Sequence, residues 1–99
     1  MARPSVYEQF LDVAAQVFNS NEFQTIKDEL QGLGIDLRKV VMPMLELVIR
    51  TAALVEKPEV PYRQEMRHKA LNNLVKAGFS ADSILALIRK TRSEVPILA

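Results

Sequence analysis

Leu37-Arg-Lys-Val40-Val-Met-Pro43-Met-Leu-Glu46-Leu-Val-Ile-Arg50-Thr-Ala-Ala-Leu-Val55 is the stretch on which the fold turns. Thirteen of its nineteen residues are apolar, and the larger polar side chains largely fall on one narrow stripe, Lys39, Glu46 and Arg50, that also carries Pro43. A helix apolar on nearly every side has to be covered on nearly every side. The stretch is therefore the central helix of a small domain or half of a dimer interface. Asp36 is a good N-cap for it, and the helix is expected to run to about Glu56. Pro43 removes an amide and crowds the carbonyl four residues back, which predicts either a kink or a restart of the helix with proline in its first turn. Glu46 and Arg50 stand in the favourable order for an i,i+4 ion pair. With those charges, and fewer than the ~20 apolar residues a bilayer requires, the stretch is not a membrane span.

Working outward, every other segment also reads as helix, and no stretch alternates as a strand. Toward the N-terminus, Ser5-Val6-Tyr7-Glu8 has the form of a capping box. Val6, Phe10, Val13 and Val17, flanked by Tyr7, Leu11, Ala14 and Phe18, predict a wide apolar face. Asn19-Ser20-Asn21 interrupts that pattern. A short second helix carrying Phe23, Ile26 and Leu30 follows, stopped by Gly32 and Gly34. Toward the C-terminus, Lys57-Pro58-Glu59-Val60-Pro61 is a stiff linker. A fourth helix runs from Pro61 to Ala77 with Met66, Ala70 and Leu74 inward. Gly78 ends it, Ser80 caps a fifth helix from Ala81 to about Thr91, and Glu94-Val95-Pro96 closes that helix.

The chain of 99 residues, 48% hydrophobic and 25% charged, is long enough for one modest core. The expected architecture is an all-α domain of four to five helices: N-terminal helices over 5–56, a proline linker at 57–61 and a basic hairpin over 62–93. The absence of cysteine excludes a disulfide scaffold, a thiol nucleophile and a thiolate zinc site, and fits a reducing, cytoplasmic compartment. Glu8 and Asp12 interrupt the place where a signal peptide needs an unbroken apolar run.

One unit is repeated at an offset of 44 residues. Leu30-Gln-Gly-Leu-Gly34-Ile35-Asp36 matches Leu74-Val-Lys-Ala-Gly78-Phe79-Ser80, each reading as helix, glycine turn, apolar staple, cap and helix. The second copy has the spacing of a helix-turn-helix. A recognition helix needs polar or cationic side chains near its start. Ala81-Asp82-Ser83-Ile84-Leu85 offers an apolar surface and a carboxylate instead, so an ordinary helical hairpin is the reading taken.

Charge is unevenly spread. Residues 1–48 hold four lysines and arginines against seven acids, and residues 49–99 hold nine against five. The cations Arg63, Arg67, Lys69, Lys76, Arg89, Lys90 and Arg92 are the candidate binding residues, for an acidic protein partner or, as the alternative, for nucleic-acid phosphates. Glu65 and His68 have the spacing of half a di-metal site, but the chain has no second histidine to complete it. No assembled nucleophile, acid-base pair or phosphate loop is present, so no enzyme activity and no cofactor are expected.

The segment from His68 to Ile84, with Gly78-Phe79-Ser80 at its turn, resembles one repeat of the RecX recombination regulators, which are tandem three-helix units. The resemblance spans about a quarter of the chain, and implies shared hairpin geometry. The function expected is that of a small non-enzymatic regulatory or adaptor protein binding a larger protein. Self-association as a two-fold dimer is a further expectation from the apolar load of the central stretch.

Overall fold

In the computed structural model, which describes residues 5–95, four helices begin at a side-chain cap and one at a proline. The order is α1 (Val6–Phe18), α2 (Asn21–Gly32), α3 (Leu37–Glu56), α4 (Pro61–Lys76) and α5 (Ala81–Glu94), with no strand among the described residues. Ser5 Oγ accepts from the Glu8 amide at 3.1 Å, Ser20 Oγ from Phe23 at 3.2 Å, Asp36 Oδ1 from Arg38 at 3.0 Å and Ser80 Oγ from Ser83 at 3.1 Å. Each bond satisfies one amide that the first helical turn leaves without a partner. α4 instead starts at Pro61, whose missing amide is no loss at that position.

The repeated glycine turns are two copies of one structure. Gly34 has a φ of 75° and Gly78 a φ of 97°, both in the left-handed region where a Cβ is strained. In the first turn the Ile35 amide reaches Leu30 O at 2.9 Å and the Gly34 amide reaches Gln31 O at 3.1 Å. In the second, Phe79 reaches Leu74 O and Gly78 reaches Val75 O, both at 3.1 Å. These are paired Schellman closures. The turns also meet in space, because a Cβ built on Gly78 would stand 3.5 Å from Ile35 Cδ1. The two hairpins therefore interlock, α2 packing on α5 and α3 on α4. Glu29 on α2 fastens the join, accepting from Ser80 Oγ at 3.0 Å and from Ser83 Oγ at 2.7 Å.

α3 is central and packs against all four other helices. Its buried face comprises Val40, Met44, Leu47, Val48, Thr51 and Ala52, meeting Phe10, Val13 and Val17 of α1, Phe23, Ile26 and Leu30 of α2, Leu74 of α4 and Leu87 of α5. The covering is incomplete at one place, since Val41 and Met42 remain exposed. The helix passes through Pro43 without a restart, so that alternative does not occur. The carbonyl deprived of a donor belongs to Lys39, which lies on the exposed side of the helix.

Three further details differ from expectation. The apolar face of α1 is narrower, because Val6, Tyr7 and Leu11 are exposed, and only Phe10, Val13, Ala14 and Val17 are buried. α4 ends at Lys76 rather than Ala77. α5 runs to Glu94 instead of Thr91, since Thr91 is buried, the Lys90–Glu94 pair at 2.8 Å spans the last turn, and Val95 packs against the core. The expectation for Pro96 lies outside the described residues. Of the residues expected to face inward on α4, Ala70 and Leu74 are buried and Met66 is half-buried. α4 touches only α3 and α5, and buries only Ala70 and Leu74.

Leu47 lies at the fully buried centre and Met42 on the exposed strip. Leu47→Ala is expected to cost about 2–5 kcal/mol, against roughly 0.5 kcal/mol or less for Met42→Ala, measured by urea unfolding. At Gly78 the contact with Ile35 is an ordinary one, so the cost of Gly78→Ala comes from backbone conformation and is expected to be about 1–2 kcal/mol.

The Asp36 carboxyl is held below its ordinary pKa by the Arg38 side chain and then by the Arg38 amide. A lowered folded pKa means its stabilisation is present at neutral pH and is lost as pH falls through and below about 4. Asp36→Asn keeps a capping oxygen, so its thermal midpoint is expected to fall less steeply with acid than that of the parent chain.

Candidate functional site

The linker between α3 and α4 brings two of the candidate cations of α4, Arg63 and Arg67, alongside the end of α3. Arg63 Nη1 donates to Ala53 O at 2.6 Å and to the Glu56 carboxylate, with both side chains largely buried. Ala53 O also accepts from the Lys57 amide at 3.2 Å, so Arg63 closes the last turn of α3 and fixes the linker geometry. It is a structural clamp whose charge is already answered.

Two other candidates are also paired. Lys69 lies 3.7 Å from Glu65 on its own helix. An exposed pair of this kind is worth only about 0.3–0.5 kcal/mol. Lys90 meets Glu94 at 2.8 Å and Glu22 of α2 at 3.7 Å. The hydrogen bond to Glu94 raises the Lys90 pKa most, against desolvation, and Glu22 adds to the rise. Glu22 is lowered first by bonding to its own backbone amide in the opening turn of α2, with Lys90 and Ser20 reinforcing it against desolvation.

Lys76, Arg89, Arg67 and Arg92 meet no carboxylate among the described residues. Lys76 stands at the far end of α4, more than two helical turns along the axis from Arg67. Arg89 lies in a shallow groove with Glu22, Ala86, Lys90 and Ser93. Arg67 and Arg92 alone come together. With Thr51 and Gln64 they line a cleft of about 400 Å³ whose other walls are Leu54, Val55 and Pro58.

The cleft arises where three helices converge. Arg67 follows Arg63 by four residues and so lies on the same side of α4, toward α3. Arg92 is in the last turn of α5, where a cation is favoured by the helix dipole. Thr51 sits on the core face of α3, spaced from Leu47 and Val48 by one helical turn. Thr51 is 1% exposed, yet its Oγ1 has no hydrogen-bond partner among the described residues, and neither has the buried Nε of Arg67. Thr91 shows the usual solution, donating to Leu87 O at 2.7 Å. An orphaned buried donor costs roughly 1–3 kcal/mol, so two beside one cleft demand an explanation.

A second cleft of about 440 Å³, lined by Tyr7, Phe10, Ile49 and Tyr62 among others, differs in kind. Its charges are spent internally, Arg50 on Glu46 at 2.8 Å and Arg63 on Glu56. Glu65 and His68 share an open groove with Pro61 and Gln64, and no group of three or more metal-ligating side chains occurs among the described residues. The Arg67–Arg92 cleft contains donors and cations but neither carboxylate nor imidazole, which equips it to hold an anion.

Sequence reasoning named Arg67 and Arg92 but missed Thr51. Its signal was a lone hydroxyl on the core face of an otherwise apolar helix. The start of α5, where a recognition helix would read bases, is committed elsewhere: Ser83 and Ile84 are buried and Ser83 is bonded to Glu29. The chain matches no protein-family model, no curated protein and no solved structure. The segment from His68 to Ile84 spans the second half of α4, the second Schellman turn and the first turn of α5, a geometry this chain uses twice. No helix of the described residues is long and apolar enough to cross a membrane.

The clamp and the cleft separate by experiment. Arg63→Ala strips a charged hydrogen bond from Ala53 and Glu56 and is expected to cost about 2–3 kcal/mol in urea unfolding. Arg92 is exposed and has no carboxylate partner among the described residues, so Arg92→Ala is expected to change stability by less than about 0.5 kcal/mol.

Proposed function

We propose that this chain is a small non-enzymatic regulatory or adaptor protein that holds an acidic segment of a larger protein in the cleft between α3, α4 and α5. The observation that carries the reading is the pairing of two free guanidinium groups, Arg67 and Arg92, with apolar walls from Leu54, Val55 and Pro58. An acidic peptide offers both chemistries at once. Nucleic-acid phosphates would use the cations but not the walls, and the free cations do not form a track. Lys76 and Arg89 lie away from the cleft, and Arg63, Lys69 and Lys90 already have carboxylate partners. The reading also keeps a cytoplasmic setting, in accord with a cysteine-free chain. It keeps two-fold self-association through the uncovered strip of α3, where Met42 and Val41 stand exposed side by side.

Affinity capture from nuclease-treated lysate tests the main reading. The parent chain is expected to retain a stoichiometric companion that Arg67→Ala/Arg92→Ala loses, while Arg89→Ala keeps it. Equal capture by parent and double variant overturns the cleft as the docking site. Retention of an oligonucleotide instead, falling steeply with salt, replaces the protein partner by nucleic acid. Light scattering after size exclusion checks the self-association: a dimer at micromolar concentration is expected, and a monomer there removes it.

A further inference from the structure

We infer that the cleft is a carboxylate site: Arg67, Arg92 and the Thr51 hydroxyl take the carboxylate of a ligand whose adjoining apolar group lies on Leu54, Val55 and Pro58. The inference deepens the partner reading, on which it rests for its biological source, the acidic side chain or free C-terminus of a bound peptide.

The geometry favours a carboxylate over other anions. A guanidinium presents Nε–H and one Nη–H along a single edge, matching the two oxygens of a planar carboxylate. At Arg67 the Nε on that edge has no acceptor. It lies beneath the cleft surface, so the side chain must turn to meet a ligand, and no existing bond holds it back. Thr51 Oγ1 is likewise unpaired and buried in the wall of the same cleft, so it too is reached only once the Arg67 side chain turns. A carboxylate held by Arg67 and Arg92 has lone pairs left to accept from a hydroxyl. The apolar walls then bury the carbon chain next to it, which inorganic phosphate does not have.

Titration of the full chain by NMR tests the inference with acetate, hexanoate and inorganic phosphate as probes. Hexanoate is expected to move the Arg67 Nε–H signal and the Leu54 and Val55 methyls, with a Kd on the order of millimolar. It is expected to bind about tenfold more tightly than acetate, roughly what two buried methylenes supply, and more tightly than phosphate. Arg67→Lys, which loses the guanidinium edge, should weaken hexanoate about tenfold, and Arg89→Ala should leave it unchanged. Thr51→Val replaces an orphaned hydroxyl by a methyl, so it is expected to hold or raise the thermal midpoint while weakening hexanoate about threefold to tenfold. A purely structural threonine would give no loss of binding.

Phosphate binding as tightly as hexanoate, acetate equal to hexanoate, or shifts shared equally by Arg89 and Lys76 each overturn the proposal. A companion that depends on Arg67 and Arg92 in a chain without a hexanoate site overturns the carboxylate assignment alone. A hexanoate site in a chain whose companion ignores those residues overturns the partner reading alone.

Discussion

An apolar helix of twenty residues is the constraint from which the rest of this structure follows. Met44, Leu47 and Val48 of α3 are each wholly inaccessible to water. Exposing them would forfeit about 1.5–3 kcal/mol apiece. Four helices are therefore gathered around α3, and they need not be alike: α1 brings a strongly apolar face, while α4 is mostly polar. α4 buries only Ala70 and Leu74, yet it lies along α3 and closes that side of the core. Its polarity leaves it free to carry arginines, lysines and a histidine without weakening the domain.

The same constraint organises the charges. Holding α4 against α3 requires an anchor at their junction, and Arg63 supplies it through Ala53 and Glu56. Joining α5 to α2 uses Glu29 with Ser80 and Ser83, and Lys90 with Glu22. These groups are occupied with architecture. Arg67 and Arg92 are left over where the end of α3 meets both neighbours, and Thr51 is placed there by its position on the buried face of α3. A cleft with surplus donors thus arises at the seam of three helices, while the comparable cleft between α1, α3 and α4 has its charges cancelled.

The elements were legible because their signals are local. Ser5, Asp36 and Ser80 cap whatever tertiary surroundings they have, and the Gly34 and Gly78 turns close through bonds between residues near in sequence. The helical period likewise placed Ala70 and Leu74 inward. Less local features were misjudged. Tyr7 and Leu11 lie on the apolar side of α1 but stay exposed, Tyr7 lining the open cleft it shares with Ile49 and Tyr62. The extra turn of α5 depends on Thr91 being buried, which its polarity does not announce.

Among the seven cations, composition alone could treat them only as one basic patch. Whether a cation is free depends on which carboxylates approach it, and the partners of Arg63 and Lys90 include Glu56, on the preceding helix, and Glu22, far back in the chain. The amino-acid order by itself determined the helices, their caps, the repeated turn and the need to bury α3, since each is set by neighbours within a turn or two. Only the tertiary structure decided that Arg67, Arg92 and Thr51 share a cleft, because packing three helices, and not any spacing along the chain, sets the distance between them.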